Sequence, residues 1–214
     1  MGKVALLAGT TGLIGSQVLD LLLENSDYER IIAMSRKPIG LLHPRLTNLI
    51  CELDQLHEHA AEIVVDDVFC CLGTTMKKAK TKEAFRAVDF KAPLELAKIS
   101  KANGAKRYLL VSALGANKNS SIFYNKVKGE VEEAIAQVGF ESNHIFQPSL
   151  LTGSRQENRA GEEAAQLFYK IFGFLIPKRF ASIESKKVAR AMIAFAQDGK
   201  GGRFIHSSAE LQAF

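Results

Sequence analysis

Residues 4–24 read VALLAGTTGLIGSQVLDLLLE, and they carry the clearest indication of the fold. A short apolar run, typical of a buried parallel strand, leads into three glycines at intervals of three and then into a segment of helical composition. Gly9, Gly12 and Gly15 can provide a tight turn, a close approach of the backbone to a pyrophosphate, and close packing of helix on strand. The N–H groups at the start of the helix would face the phosphates. The stretch therefore predicts a dinucleotide-binding loop, with a plain strand-to-helix turn as the alternative.

The rest of the chain continues this alternation of strands and helices. Apolar segments predict further strands at 30–35, 45–53, 66–73, 106–113, 142–149 and 202–208. Helical composition predicts helices at 54–62, 81–103, 121–138, 158–172 and 183–197, with a kink or a break into two helices at Pro93. Repeated strand–helix units predict an α/β fold, a doubly wound parallel sheet (Rossmann fold). We expect a single domain over residues 1–214, in which residues 149–214 contribute a small substrate-cover region.

Composition and charge exclude several classes of protein. Among 214 residues, no apolar run approaches the roughly 20 needed to cross a bilayer, and the N-terminal run enters a glycine loop instead of a cleavage site. We therefore expect neither a signal peptide nor membrane association. The net charge of +5 is scattered in small clusters, which suits a phosphate-bearing cofactor better than nucleic acid. Three cysteines without Cys-x-x-Cys spacing predict reduced thiols, a cytoplasmic location and no metal site.

The end of the second predicted strand bears on the choice of cofactor. An NAD-binding domain usually places Asp or Glu about 20 residues after the glycine loop, where the carboxylate holds the ribose 2′-hydroxyl. Here the strand ends in Ser35, Arg36 and Lys37, so the acid is missing and two cations are present. A guanidinium can pair with a 2′-phosphate. This pattern predicts NADP(H) rather than NAD(H), with Arg36 as an ordinary solvated residue as the alternative.

A candidate catalytic group lies in residues 109–134. Ser112 ends the fifth predicted strand, and Tyr124 and Lys128 stand four apart on the following helix, so these two share one face. A phenol has a pKa of about 10, and a nearby ammonium favours its phenolate form. Tyr124 could then exchange a proton with a carbonyl or alcohol oxygen while Ser112 hydrogen-bonds the same oxygen. Lys128 could also reach the nicotinamide ribose hydroxyls.

Five segments carry a resemblance to a known family. They are GTTGLIG (9–15), FCCLGTT (69–75), AFRAVDF (84–90), YNKVKGEVE (124–132) and PSLLTGSRQE (148–157), and they span almost the whole chain. The sequence resembles the short-chain dehydrogenase/reductases of the extended or atypical branch, and it is similar to the HIV Tat-interacting-protein-like oxidoreductases and their bacterial relatives. The resemblance implies an NADP(H)-binding Rossmann domain with Ser112, Tyr124 and Lys128 as the catalytic residues.

Carried over position by position, the resemblance also implies which residues contact the cofactor. The pyrophosphate would be lined by Gly9, Thr11, Gly12, Leu13, Ile14 and Gly15. The 2′-phosphate would lie by Ser35, Arg36 and Lys37, and the adenosine ribose by Leu72, Gly73 and Thr74. The nicotinamide would lie by Pro148, Leu150 and Leu151. Asp89 stands where extended members often carry Asn, which leaves its role open.

The residues after Pro148 leave several interpretations open. The apolar side chains of 167–174 suit packing over the sheet edge, a lid over an apolar substrate, a dimer surface, or a helix lying on a membrane. Arg155 and Arg159 could orient an anionic substrate group or be surface charges. The short C-terminal region favours a small substrate over a sugar nucleotide.

Two classes of function follow from these observations. The first is an NADP(H)-dependent oxidoreductase that acts on a small-molecule carbonyl or alcohol, with epimerisation or dehydration of a sugar nucleotide as a variant on the same fold. The second is a non-catalytic NADP(H)-binding redox sensor that passes its state to a protein partner. The presence of Ser112, Tyr124 and Lys128 together favours the enzyme. The helix of 121–138 could pair with a second copy in a homodimer, although nothing in the sequence requires it.

Overall fold

A computed structural model describes residues 2–153 and 181–214. Within these residues the strands are β1 (Lys3–Ala8), β2 (Tyr28–Ser35), β3 (Leu46–Ile50), β4 (Asp67–Cys70), β5 (Arg107–Val111), β6 (Ser142–Gln147), β7 (Leu151–Thr152), β8 (Ile183–Glu184) and β9 (Gly202–Ser207). The α-helices are α1 (Leu13–Glu24), α2 (Met76–Ala79), α3 (Lys82–Arg86), α4 (Ala92–Ala102), α5 (Phe123–Ala136), α6 (Ser185–Gln197) and α7 (Ser208–Leu211). The predicted helix at 158–172 lies outside the described residues, as do Arg155, Arg159 and the apolar side chains of 167–174.

The main sheet is parallel throughout, and its strand order is β3-β2-β1-β4-β5-β6-β9. The order reverses between β1 and β4, which is where doubly wound sheets bind ligands beyond the carboxyl ends of their strands. β7 and β8 pair separately as a small two-stranded sheet. The predicted fold class, a doubly wound parallel sheet, is confirmed.

Helices cover both faces of this sheet. On one face α1 and α6 pack against each other and against the strands, in a cluster that includes Leu22. On the other face α4 and α5 contribute Leu96 and Val131 to a second cluster. Val68 and Phe69, neighbours in β4, belong to the two different clusters. Burial on both sides explains why three apolar residues, Val68–Cys70, follow one another in this strand instead of alternating with polar ones.

The long helix predicted over 81–103 is one helical segment with a widened turn in its middle. α3 continues through a π-helical turn, Ala87–Lys91, into α4. Pro93 has no N–H to give to the carbonyl four residues earlier. The N–H of Ala92 bonds to the carbonyl of Ala87, five residues back. The chain thus accommodates the proline by widening the helix instead of breaking it, and the widened turn contains Asp89.

Some boundaries differ from the prediction for local reasons. The helix predicted at 54–62 is a 3₁₀ helix, Leu56–Glu62, and the one predicted at 183–197 begins only after its first two residues have paired as β8. The short α2 was not predicted. Within residues 2–153 and 181–214, no helix combines the length and apolarity that a membrane crossing requires. The single domain and the covering role of residues 149–214 stay predictions.

Candidate cofactor and active site

The structure explains the glycine at each of the three positions of the first loop by a different local feature. Gly9 has a φ of +86°, and a Cβ there would lie 2.5 Å from the carbonyl oxygen of Cys71. A Cβ on Gly15 would lie 2.0 Å from the carbonyl oxygen of Gly9, so only glycine lets α1 pack this closely on the loop. Gly12 is the N-cap of α1 and offers no side chain to it, so its first turn has no side-chain cap. The unshielded helix N-terminus and the loop in front of it fit a pyrophosphate.

The turn after β2 presents Arg36 and Lys37 to solvent. The Ser35 hydroxyl donates to the carbonyl oxygen of Lys37 at 2.7 Å, and Asn48 Nδ2 donates to Ser35 Oγ at 2.8 Å. Asn48 Oδ1 also accepts from the N–H of Ile39 at 3.0 Å. Asn48 therefore shapes the turn from the neighbouring strand. The sequence did not single it out, because a polar residue in an edge strand carries no signal of its own.

The loop after β4 lies over a buried ion pair. Lys128 Nζ and Asp89 Oδ1 are 2.7 Å apart, and both side chains are almost fully buried. The N–H of Thr74 donates to Asp89 Oδ2 at 2.8 Å. A Cβ on Gly73 would lie 3.7 Å from Lys128 Nζ, so the ammonium lies beneath this glycine. Burial disfavours the charged lysine, but the charge and hydrogen bond of Asp89, together with the influence of Tyr124 and Cys70, outweigh burial and raise the pKa of Lys128.

Tyr124 lies one turn before Lys128 on α5, and the two side chains interact electrostatically. The half-buried phenol ring packs on Phe85, with ring centroids 5.6 Å apart. The depth of the helix is set by Gly129, because a Cβ there would lie 2.2 Å from the backbone nitrogen of Lys118. Only glycine lets the loop before α5 cross the helix at this level.

Ser112 lies at the end of β5, where its N–H donates to the carbonyl oxygen of Phe146 at 2.7 Å. Its hydroxyl donates to Glu132 Oε1. Gln147 Nε2 contacts both oxygens of the same carboxylate, at 3.0 and 3.1 Å. Sequence reasoning missed Glu132 and Gln147. The spacing of four from Lys128 to Glu132 repeats that from Tyr124 to Lys128 and could have placed Glu132 on the same face.

The segment after β6 returns to the glycine loop. The carbonyl oxygen of Pro148 accepts from the N–H of Leu114 at 2.9 Å, and Leu151 pairs with Ile183 in the small sheet. A Cβ on Gly153 would lie 3.1 Å from Leu13 Cδ1, at the start of α1. Leu150 is half-exposed. The segment that the resemblance assigned to the nicotinamide thus ends against the loop assigned to the pyrophosphate.

Contacts therefore connect most of the predicted site residues. The glycine loop touches the strand end that leads into Leu72, Gly73 and Thr74; this second loop lies over Lys128; and Lys128 interacts with Tyr124. Ser112 joins the group through Glu132, which feels the charge of Lys128. Arg36 and Lys37 stand apart at the next strand end. The roles of all these predicted site residues in binding and catalysis stay predictions.

The adjacent cysteines contribute packing. Cys70 and Cys71 pack into the two different core clusters, so they point to opposite faces of the sheet. Burial raises the pKa of both thiols, which keeps them protonated.

Comparison with known proteins agrees with this geometry. Residues 9–199 match the family described as NAD(P)H-binding. The chain belongs to this family. It is 34% identical over 198 residues to the protein HTATIP2 of Rattus norvegicus, which covers 89% of this chain and 80% of the rat protein. It is 31% identical over 208 residues to the mitochondrial protein FMP52 of Candida albicans, covering 92% and 89% of the two chains.

Solved structures with low sequence identity to this chain have the same fold. WbmH of Bordetella bronchiseptica, solved in complex with NAD+, has a TM-score of 0.75 and 18% identity, covering 97% of this chain and 76% of that one. A UDP-glucose 4-epimerase of Thermotoga maritima has a TM-score of 0.72 and 18% identity, covering 98% and 77%. These two structures support the fold alone, and the predicted resemblance to the HIV Tat-interacting-protein-like proteins is confirmed by the rat relative.

One expectation is wrong. The sequence predicted a cytoplasmic location from its reduced cysteines, yet the FMP52 relatives from Lodderomyces elongisporus, Candida albicans and two Aspergillus species are named as mitochondrial proteins. Unpaired thiols report a reducing environment and do not distinguish one reducing compartment from another.

Proposed function

We propose that the chain is an NADP(H)-dependent oxidoreductase that transfers hydride to or from a small-molecule carbonyl or alcohol, with Tyr124 as the proton donor or acceptor. The observation that carries the proposal is the position of Lys128. Its ammonium lies beneath Gly73, at the strand end next to the glycine loop, and it interacts with Tyr124 one turn away. This position supports a role for Tyr124 in proton exchange next to a bound nicotinamide cofactor.

The chain's own residues divide the work as follows. The bound nicotinamide cofactor would supply or take up the hydride. In carbonyl reduction, Tyr124 gives its phenolic proton to the substrate oxygen, and the half-exposed ring can regain a proton from solvent. Lys128 stabilises the phenolate that remains, and Asp89 keeps the lysine charged although it is buried. Gly9, Gly12 and the first turn of α1 would hold the pyrophosphate.

The preference for NADP(H) rests on the turn after β2. Arg36 and Lys37 are exposed there, and their turn is held by Ser35 and Asn48. A guanidinium and an ammonium at this strand end complement a 2′-phosphate.

Nucleotide binding is tested first, by thermal unfolding with NADPH and with NADH. A nucleotide at 100 times its dissociation constant adds about 2.7 kcal/mol to the free energy of unfolding. We expect NADPH to stabilise the protein more than NADH, and Arg36→Asp to remove that difference. A variant that keeps the preference for NADPH refutes the assignment of Arg36, and no stabilisation by either nucleotide refutes the proposal as a whole.

Turnover is tested with NADPH and a panel of small aldehydes, ketones and quinones. We expect the wild-type chain to oxidise NADPH with some of them and Tyr124→Phe to lose at least about a hundredfold in kcat, because the ring stays and only the proton is lost. Binding of NADPH by both proteins with turnover by neither supports a non-catalytic redox sensor instead. The proposal also includes a small-molecule substrate, no nucleic-acid partner, and pairing of α5 with a second copy of the chain.

A further inference from the structure

A buried carboxyl group lies next to the candidate catalytic residues without belonging to them. Glu132 is 5% exposed and stands one helical turn beyond Lys128 on α5. Its Oε1 accepts from the hydroxyl of Ser112, itself 5% exposed, and Gln147 Nε2 lies 3.0 and 3.1 Å from its two oxygens. All of its hydrogen-bond partners within the described chain are neutral groups.

The cations that face Glu132 are already paired with other carboxylates. Lys128, from the same helix, is 2.7 Å from Asp89. Arg203, from β9, is 3.4 Å from Glu133. Both lower the pKa of Glu132, as do the bonds from Ser112 and Gln147, but the loss of water on burial is the largest effect and the pKa is raised. A carboxyl in this position can hold its proton at a pH where exposed glutamates are ionised.

The proton on Glu132 decides what Ser112 can do. An ionised carboxylate only accepts, so it takes the single hydrogen of the Ser112 hydroxyl, which is then unable to donate to a carbonyl. A protonated carboxyl can donate to Ser112 Oγ, and the serine hydrogen becomes free to point at the substrate. Gln147 can donate to the other carboxyl oxygen in either case. One proton therefore reverses the direction of the hydrogen bond between Glu132 and Ser112.

We propose that Glu132 is a positioning residue which, in its protonated form, turns the Ser112 hydroxyl towards the substrate and so makes the site competent for carbonyl reduction. Deprotonation withdraws that hydrogen and leaves Ser112 only as an acceptor. This inference rests on the proposed reductase function, but the state of Glu132 can be measured without any turnover.

The first experiment is infrared spectroscopy of the whole protein as a function of pH. A protonated carboxylic acid has a C=O stretch above the amide band, and a carboxylate lacks it. We expect such a band in the wild-type protein at a pH where exposed glutamates are already ionised, because burial raises the pKa of Glu132, and we expect Glu132→Gln to lack it. Glu130→Gln is the matched control, because Glu130 lies on the same helix but forms an ion pair with Arg86 at 2.6 Å and should not contribute. A band unchanged in Glu132→Gln, or no band at any pH where the protein is folded, overturns the proposal.

The second experiment compares pH profiles of reduction with NADPH and a carbonyl probe that the wild-type chain reduces. The amide of Glu132→Gln can donate to Ser112 and accept from Gln147, so it imitates the protonated carboxyl at every pH. Above the midpoint of the infrared titration, we expect the wild-type rate to fall about tenfold per pH unit through this group and the Glu132→Gln rate to stay level. Parallel profiles overturn the inference. If no probe is reduced, the proposed function fails, while the infrared result still decides the protonation of Glu132.

Discussion

Acid should destabilise this protein through one buried histidine, His144, in β6. Its ring is 0% exposed and lies in a chain of hydrogen bonds. Ser142 Oγ is 2.8 Å from His144 Nε2, His144 Nδ1 is 2.9 Å from His206 Nε2, and His206 Nδ1 is 2.9 Å from Glu210 Oε1. With Glu210 ionised, every bond is satisfied when both rings are neutral and each donates from Nδ1. A proton added to His144 Nε2 loses the bond from Ser142 in its present direction.

The size of the effect follows from the two states of His144. Burial, followed by the nearby His206, lowers the pKa of His144 from 6.5 to about 4. Between pH 6.5 and pH 4, His144 therefore binds a proton in the unfolded chain but stays neutral in the folded protein. The free energy of unfolding contributed at neutral pH is lost as the pH falls. One pH unit corresponds to about 1.4 kcal/mol, so lowering the pH from 7 to 4 should cost about 3 kcal/mol through this residue.

Urea denaturation at both pH values measures this loss in the wild-type chain and in His144→Phe. The phenylalanine ring can keep the stacking on Phe204, whose centroid is 4.9 Å away, but cannot take up a proton. We expect the variant to be less stable at pH 7, because hydrogen bonds are lost, and to lose about 3 kcal/mol less between pH 7 and pH 4 than the wild type. His57→Asn is the control, since the His57 side chain is 67% exposed. Equal acid losses in the wild type and His144→Phe would refute the reasoning.

Two further substitutions test the site. Gly15→Ala places a Cβ 2.0 Å from the carbonyl oxygen of Gly9, so α1 must move. We expect NADPH to stop stabilising this variant against heat, while the control Ser16→Ala is still stabilised. Equal stabilisation of Gly15→Ala and the wild type would contradict this expectation. Asp89→Asn leaves Lys128 charged and buried without its partner, and we expect a loss of about 3–5 kcal/mol in urea denaturation, partly recovered by adding Lys128→Met. A loss below about 1 kcal/mol would show that the ion pair contributes little.

The fold was predictable because its signals are local. The apolar runs of β1 and β4 and the glycine loop each follow from a few neighbouring residues, and parallel strands with short connections leave few alternative arrangements. The widened turn before Pro93 was less predictable. A proline only shows that one hydrogen bond is missing, and whether the helix breaks, bends or widens there depends on what packs around it.

The candidate site was likewise predictable only at residues that have a local sequence signal. Tyr124 and Lys128 were found from their spacing on one helix, and Arg36 from its place at a strand end. Glu132 was missed because its partner Ser112 is 20 residues away, and a glutamate on an amphipathic helix ordinarily faces solvent. Asp89 was noticed only as a departure from a family pattern, since its pairing with Lys128 is a contact between separate helices. Burial of a charged residue is a property of the folded molecule and leaves no mark in the local sequence.

Within the described residues, the partners of Glu132 are neutral groups, whereas Lys128 has a carboxylate partner, and this difference bears on the proposed reaction. Asp89 and Lys128 together form a neutral pair, so Glu132 adds a buried negative charge to this part of α5 only when it is ionised. In the proposed reaction, an ionised Glu132 would repel a phenolate formed on Tyr124, because like charges in a poorly solvated site disfavour each other. A neutral Glu132 removes that repulsion and at the same moment frees the Ser112 hydrogen for the substrate oxygen. Both effects act in the direction of carbonyl reduction, so a single proton on Glu132 would favour it twice.

Replacing Glu132 by glutamine should therefore help the donation of a proton by Tyr124 as well as the hydrogen bond from Ser112, and Ser112→Ala in the Glu132→Gln background separates the two. If the double variant reduces the probe faster at high pH than the Ser112→Ala single variant, the difference measures the electrostatic effect of Glu132 on Tyr124. Equal rates would assign the whole effect of Glu132 to the hydrogen bond from Ser112.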